Sequence, residues 1–113
     1  MAAQEYITKA KELIDSNKYF QFSANWCKDC VYTLSVWDKY NIRSKFKIFD
    51  IGDLSKEEQT EWRNAFEEVT GIRNLPTIIV DGEVWGTETK LHELEDMNQL
   101  EFELKRLGLV QHS

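Results

Sequence analysis

The chain has 113 residues, 42% of them hydrophobic and 12% aromatic, and a formal net charge of -6 at pH 7. That size and composition predict one domain with a modest hydrophobic core and exclude a disordered polypeptide. The acidic balance argues against general binding to nucleic acid or to an anionic membrane, because no basic excess exists to displace counterions from phosphates.

Residues 1–16, MAAQEYITKAKELIDS, carry an early Glu5 and no uninterrupted apolar run, so they read neither as a signal peptide nor as a membrane span. Tyr6, Ala10, Leu13 and Ile14 fall on one face of an amphipathic helix. YFQFS, residues 19–23, alternates as a short buried strand that delivers the chain to Trp26 and Cys27. A helix follows from near Lys28, with Val31, Leu34, Trp37 and Tyr40 as its apolar positions. The basic cluster RSKFK, residues 43–47, is expected on the solvated face of a strand, and KFKIFDI, residues 45–51, is that second strand. Ser55 with Glu58 forms a capping box. The helix it opens carries a stripe of Trp62, Ala65, Phe66 and Val69 and is closed by Thr70-Gly71.

TIIV and EVWG, joined by Asp81-Gly82, form a hairpin with the favoured two-residue turn. From Thr89 the tail is helical through Leu91, Leu94, Leu100, Leu104 and Leu107. Asn98 with Glu101 reads as a fresh cap, which divides the tail into two helices near Met97, the second closed by Gly108. The order is α-β-α-β-α-β-β-α-α. Strands joined by helices imply parallel crossovers, and the hairpin adds an antiparallel pair. The expected class is α/β: a four-stranded mixed sheet flanked by helices on both faces, with an N-terminal helix.

The two cysteines, Cys27 and Cys30, both stand in SANWCKDCVY at a strand-to-helix junction. The first sits at the helix N-terminus, where unpaired amides and the helix dipole favour a thiolate. The second falls one turn further, close enough to attack a mixed disulfide formed on the first. Cys27 is then the nucleophile and Cys30 the resolving thiol. Lys28 adds a positive charge that favours the thiolate; Asp29 opposes it locally while complementing the helix start. Two other readings stand beside this one, a pair of inert buried cysteines and part of a zinc site. Zinc needs four ligands, and the remaining candidates are only His92 and His112, which read as a helix-surface residue and a tail residue. No metal site is therefore expected. Two cysteines without a secretory signal point to a reducing compartment, the cytoplasm by default, where a disulfide is transient and catalytic.

The stretch FEEVTGIRNLPTIIVDGEVWGTETKLHEL, residues 66–94, resembles the glutaredoxin pattern. That pattern is a helix ending in TG, then R-x-V-P, a strand, a short turn, and G-G-x-S-D opening the next helix. MNQLEFELKRLGLV, residues 97–110, is similar to the family's closing helix, so the resemblance runs over nearly the whole chain from Tyr19. Within the family it is to fungal dithiol glutaredoxin-like proteins that join a thioredoxin-style W-C-x-D-C to a glutaredoxin body. The resemblance implies a thioredoxin-like fold. It also implies glutathione as co-substrate with no tightly bound cofactor, and disulfide-containing proteins as partners. Carried across by residue, it makes Cys27 the nucleophile, Cys30 the resolving thiol and Pro76 a cis-proline facing them across a cleft. The backbone of Leu75 is then presented to an extended peptide or to glutathione. Arg63 stands where the family often has glutamine and suits a glutathione carboxylate, while Arg73 keeps the family's basic position; each is otherwise a surface charge. Trp26 would wall the substrate site beside Cys27, or pack in the core; Trp85 has the same two readings.

The departures from the family pattern are specific. Ala24 replaces a lysine three residues before the first cysteine. In GTETK, Gly86 and Thr89 fit the pattern, but Thr87 puts a side chain where backbone approaches the ligand. Lys90 replaces the acid that meets the glutathione amino group. Thr87 or Thr89 is equally a helix cap. Gln21 stands where thioredoxin has a buried aspartate and cannot exchange a proton; Lys28 replaces a proline. The expected function is a glutathione-dependent thiol–disulfide oxidoreductase acting on protein disulfides or glutathione mixed disulfides, with low activity. The alternatives are an iron–sulfur module, for which Lys28 removes an obstructing proline, a thioredoxin-like reductant independent of glutathione, and a redox-inactive interaction domain. A monomer is expected from the size and the absence of an apolar surface stripe.

Overall fold

The structure, a computed structural model, describes residues 3–111. Helix α1 (Gln4–Ser16) precedes strand β1 (Tyr19–Ser23) and helix α2 (Lys28–Lys39). A 3-10 turn (Arg43–Lys45) leads to β2 (Lys47–Asp50) and α3 (Lys56–Thr70). The hairpin β3 (Thr77–Val80) and β4 (Glu83–Gly86) is followed by α4 (Glu88–Asp96) and α5 (Leu100–Arg106). The strands lie in the order β2-β1-β3-β4. β1 runs parallel to β2 and antiparallel to β3, and β3 is antiparallel to β4. The expected mixed sheet with helices on both faces is present.

β1 decides which side chains meet which layer. Phe20 and Phe22, two residues apart, point to the same face and pack with Ile7, Ala10 and Ile14 of α1 and Ala65 and Phe66 of α3. The Phe22 and Phe66 ring centroids are 4.1 Å apart. Each fully buried phenylalanine contributes about 1.5–3 kcal/mol relative to an exposed one. The opposite face is covered by α2, α4 and α5 through Val36, Trp37, Leu91, Leu100 and Leu104.

Local signals hold where they are strongest. The Ser55 hydroxyl accepts the Glu58 N–H at 3.1 Å, and Asp81 (φ 52) with Gly82 (φ 82) makes the tight hairpin turn. Three expectations are corrected. The buried face of α2 is Cys30, Thr33, Val36 and Trp37, and Val31 is 55% exposed. A row spaced by threes drifts around a helix of 3.6 residues per turn, so Val31 and Trp37 cannot share one buried line. RSKFK begins as a 3-10 turn rather than a strand face: Arg43 pairs with Asp38 at 2.6 Å and Lys45 Nζ donates to the Leu109 carbonyl at 2.8 Å. Asn98 does not cap α5. Its φ of 55 ends α4, the Gln99 N–H donating to the Leu94 carbonyl at 2.8 Å, and α5 starts behind Gln99 without a side-chain cap. Asparagine visits the left-handed region readily, which suits it to closing a helix. No described helix is long and apolar enough to cross a membrane.

Candidate active site

The chain leaves β1 at Ser23, turns through residues 24–26, and enters α2 with Cys27 as the N-cap. Cys27 Sγ accepts the Cys30 N–H at 3.4 Å, so sulfur occupies the place a capping oxygen usually takes. The half-buried Cys27 thiol also reaches the Leu75 carbonyl oxygen at 3.5 Å.

Cys30 differs in kind. It is 1% exposed, and its sulfur accepts the Ala24 N–H at 3.5 Å. Burial pushes its pKa up to about 12, against the opposing pull of the nearby Ser23 side chain and the Ala24 N–H. The pair thus consists of one approachable sulfur at a helix start and one enclosed thiol a turn behind it.

Leu75 and Pro76, joined by a cis peptide, are both buried and carry the loop that meets Cys27. Trp26 is 53% exposed, and its indole N–H donates to Gln59 Oε1 at 3.0 Å. Gln59 in turn donates to the carbonyls of Leu54 at 2.9 Å and Gly52 at 3.3 Å. Trp26 therefore stands at the rim, held by α3, and is not core. Trp85 is core: it is buried with its N–H on Glu103 Oε2 at 2.7 Å.

Lys28 is exposed on the first turn of α2. Arg63 Nη2 donates to the Arg73 carbonyl at 3.2 Å, and its buried Nε has no partner among the described residues. Its guanidinium lies against the loop that leads to Leu75 and Pro76. The Arg73 side chain is engaged with Asn64 at 2.8 Å and Glu67 at 2.9 Å. On α4, Thr87 is the cap, its hydroxyl accepting the N–H of the exposed Thr89 at 3.4 Å. Lys90 folds back: Nζ donates to the Trp85 carbonyl at 3.1 Å and lies 4.5 Å from the Trp85 ring centroid. His92 is exposed and stacks on Tyr32 at 4.2 Å, while His112 lies outside the described residues. Among the described residues no group of three or more His, Cys, Asp or Glu is placed to hold a metal.

Some site residues escape a reading by motif. Asp50 Oδ1 accepts the N–H groups of Asn25 at 3.0 Å and Gly52 at 2.8 Å, clasping the cysteine loop to the end of β2. Ser23 sits behind Cys30, and Gln59 behind Trp26. Only Gly52, a glycine directly after a strand, carries a hint in the sequence.

Residues 18–85 match the family model for glutaredoxin. Glutaredoxin-8 of Saccharomyces cerevisiae is 53% identical over 105 residues, covering 93% of this chain and 96% of that protein. Glutaredoxin-1 of the same yeast is 31% identical over 103 residues, with coverage of 89% and 92%. The solution structure of yeast dithiol glutaredoxin Grx8 has a TM-score of 0.87 at 52% identity, covering 96% of this chain and 99% of that one. A buckwheat glutaredoxin–glutathione complex shares the fold, with a TM-score of 0.74 at 21% identity and coverage of 95% and 94%. From its first strand, through the cysteine pair, to the closing hairpin, this chain belongs to the glutaredoxin family, thioredoxin-like in fold and built for thiol–disulfide exchange.

Proposed function

We propose that the protein is a glutathione-dependent dithiol oxidoreductase with Cys27 as nucleophile and Cys30 as resolving thiol. The asymmetry of the pair carries this reading: an approachable sulfur facing amides at a helix start, with a second sulfur enclosed one turn behind it. The Cys27 thiolate attacks one sulfur of a protein disulfide or a glutathionylated thiol, forming a mixed disulfide and releasing the other sulfur as a thiol. Cys30 then attacks Cys27 Sγ, closing the Cys27–Cys30 disulfide and releasing the second thiol. Two glutathione molecules return the pair to dithiol and leave as glutathione disulfide.

Arg63 supports glutathione use, since its guanidinium has no carboxylate partner among the described residues and lies beside the Leu75–Pro76 loop. Trp26 offers an apolar wall, Leu75 a backbone carbonyl, and Lys28 and Thr89 exposed polar groups. Three features oppose tight binding: Ala24 brings no ammonium, Thr87 brings a side chain, and Lys90 repels an amine. We therefore expect low turnover. Arg73 contributes less, because a ligand must compete with Glu67 for it. We place the protein as a one-domain monomer in the cytoplasm, where a reducing medium keeps both cysteines as thiols between turnovers.

The test is reduction of a small disulfide with glutathione and its reductase. Activity is expected in the wild type and absent in Cys27→Ser; activity retained in that variant refutes the assignment. The departures at Ala24 and Lys90 favour a second reading, a thioredoxin-like reductant. Recycling of the oxidised protein by thioredoxin reductase but not by glutathione would select it.

A further inference from the structure

Trp26 comes directly before the nucleophile, and at 53% exposure it is not held by core packing. What holds its indole is an amide with no freedom of its own. Gln59, half-buried in the first turn of α3, aims its side-chain nitrogen at two carbonyl oxygens, Leu54 at 2.9 Å and Gly52 at 3.3 Å. Carbonyls only accept, so the nitrogen must face them. The amide oxygen is thereby turned to the Trp26 indole N–H, which only donates and lies at 3.0 Å. Both anchors are themselves fixed. Leu54 packs against the core shared by α1 and α3, and the Gly52 N–H is bound to Asp50 Oδ1 at 2.8 Å. Asn25 is tied to the same loop, giving its N–H to Asp50 and its side-chain amide to Asp53 Oδ1 at 2.9 Å. On the other side of Cys27, Val31 donates its N–H to the Cys27 carbonyl at 3.0 Å and is 55% exposed. A residue four along stands on the same helix face. Trp26 and Val31 therefore bracket Cys27, while the other large exposed hydrophobics, Val84, Met97 and Phe102, lie in β4 or from Met97 onward.

We infer that Gln59 is a positioning residue for polypeptide substrates: it locks the Trp26 indole, which with Val31 forms an apolar rim favouring a disulfide flanked by an apolar side chain. The inference rests on the role proposed above for Cys27. A chain whose disulfide is attacked there must lay the residues beside that disulfide across Trp26 and Val31, so the occupant of the rim is the substrate polypeptide itself. A small disulfide has no side chain to place on it. A ring held before the substrate arrives has no rotamer freedom left to lose on binding. For one immobilised side chain that saving corresponds to roughly a two- to tenfold gain in affinity. Glutamine is the residue type this position demands. Glutamate would set an oxygen against two carbonyl oxygens, and leucine would release the indole N–H and both carbonyls.

The experiment uses symmetrical disulfides of two short peptides that differ only in the residue beside the cysteine, leucine in one and serine in the other. The full chain is supplied with glutathione and its reductase, and kcat/KM is measured for each peptide. The wild type is expected to prefer the leucine peptide roughly two- to tenfold. Gln59→Leu and Gln59→Glu should each bring that ratio toward one. Trp26→Phe, which keeps a ring but has no N–H to hold, should do the same. Adding Gln59→Leu to it should then change the ratio no further, because two residues acting through one contact do not add. A merely structural role for Gln59 would lower the melting temperature and slow both peptides alike, leaving the ratio at its wild-type value. A wild type without preference, a ratio unmoved in both Gln59 variants, or full additivity with Trp26→Phe overturns the inference. Failure of the wild type to reduce either peptide would instead refute the exchange reading on which it rests.

Discussion

Gly52 packs against Asn25 so closely that a Cβ at position 52 would stand 2.7 Å from the Asn25 backbone nitrogen. The Asn25 side chain is nearer still, with Oδ1 at 2.1 Å, but a side chain can swing away and a backbone nitrogen cannot. Asn25 lies two residues before Cys27, and Asp50 Oδ1 binds both its N–H and that of Gly52. Gly52→Ala must therefore move the cysteine loop or break that clasp. A destabilisation of about 1–3 kcal/mol is expected, the range for forcing extra carbon into a packed site. The exchange rate should fall more than in Asn25→Ala, which removes the side-chain clash partner and spares the backbone. Thermal unfolding and turnover of the two variants check this, and wild-type values for Gly52→Ala would contradict it.

Lys90 occupies the position of the acid in the family's G-G-x-S-D, and its ammonium rests on the carbonyl and ring of Trp85. Such a cation–ring contact at a partly exposed site contributes about 0.5–1 kcal/mol. Lys90→Asp gives up that contact, removes one repulsion of the glutathione amine and adds one attraction. With each of the last two worth up to about 1 kcal/mol, KM for glutathione should fall by up to roughly thirtyfold, less at high salt, with a small drop in stability. Steady-state kinetics at two ionic strengths decide it; an unchanged KM means the amine does not come near this residue.

The order of elements was readable because each boundary has its own local chemistry. Ser55 caps with a hydroxyl, and Asp81-Gly82 takes the conformation that a tight hairpin demands. The cysteine pair was readable for a related reason, since its placement at a strand end and a helix start needs no tertiary knowledge. What escaped depends on contacts between distant segments. Gln59 looks like one more polar residue on an exposed helix until α3 docks and brings it to Trp26, 33 residues away in sequence. Arg73 looks available until the end of α3 places Glu67 and Asn64 against it. The α2 face was misread because Cys30 and Thr33 interrupt its apolar pattern, and the interruption falls at the reactive pair, where function overrides patterning.

Glu103 anchors the far face of the sheet. Its carboxylate accepts Trp85 Nε1 at 2.7 Å and receives Arg106 through Nε at 2.7 Å and Nη2 at 2.6 Å. Arg106, opposed by burial and aided by Trp85, holds this carboxyl below its ordinary range. A carboxyl depressed in the native state stabilises fully above its unfolded pKa, and the contribution is lost as pH falls through the native value. Glu103→Gln keeps an acceptor for the indole and loses the charge. At neutral pH it should be less stable than wild type, with the gap closing as pH falls through the depressed native range and the wild-type carboxyl also becomes neutral. Glu103→Ala leaves the buried indole N–H unpaired and should cost about 2–3 kcal/mol. Urea denaturation across this pH range measures both, and a gap that does not depend on pH would show that the carboxylate charge contributes nothing.

Cys30 gives the opposite pH dependence at the alkaline end. In the unfolded chain its thiol ionises near the ordinary value of 9.0, but in the native state burial delays ionisation to about 12. Between those values the unfolded chain sheds a proton that the native protein keeps, so ionisation draws the equilibrium toward unfolding. The stabilising contribution is complete below about pH 9 and falls as pH rises toward 12, by about 1.4 kcal/mol per unit within the window. Other groups titrate there too, so the informative quantity is the difference in unfolding free energy between reduced wild type and Cys30→Ser. That difference should be flat from about pH 7 to 8.5 and move steadily against the wild type above about pH 9. The same enclosure predicts that iodoacetamide at neutral pH places one label on the native protein, at Cys27, and a second only after unfolding, because Cys30 is both inaccessible and protonated. Two labels on the folded protein would mean that Cys30 is not shut away, and the alkaline loss of stability should then disappear with it.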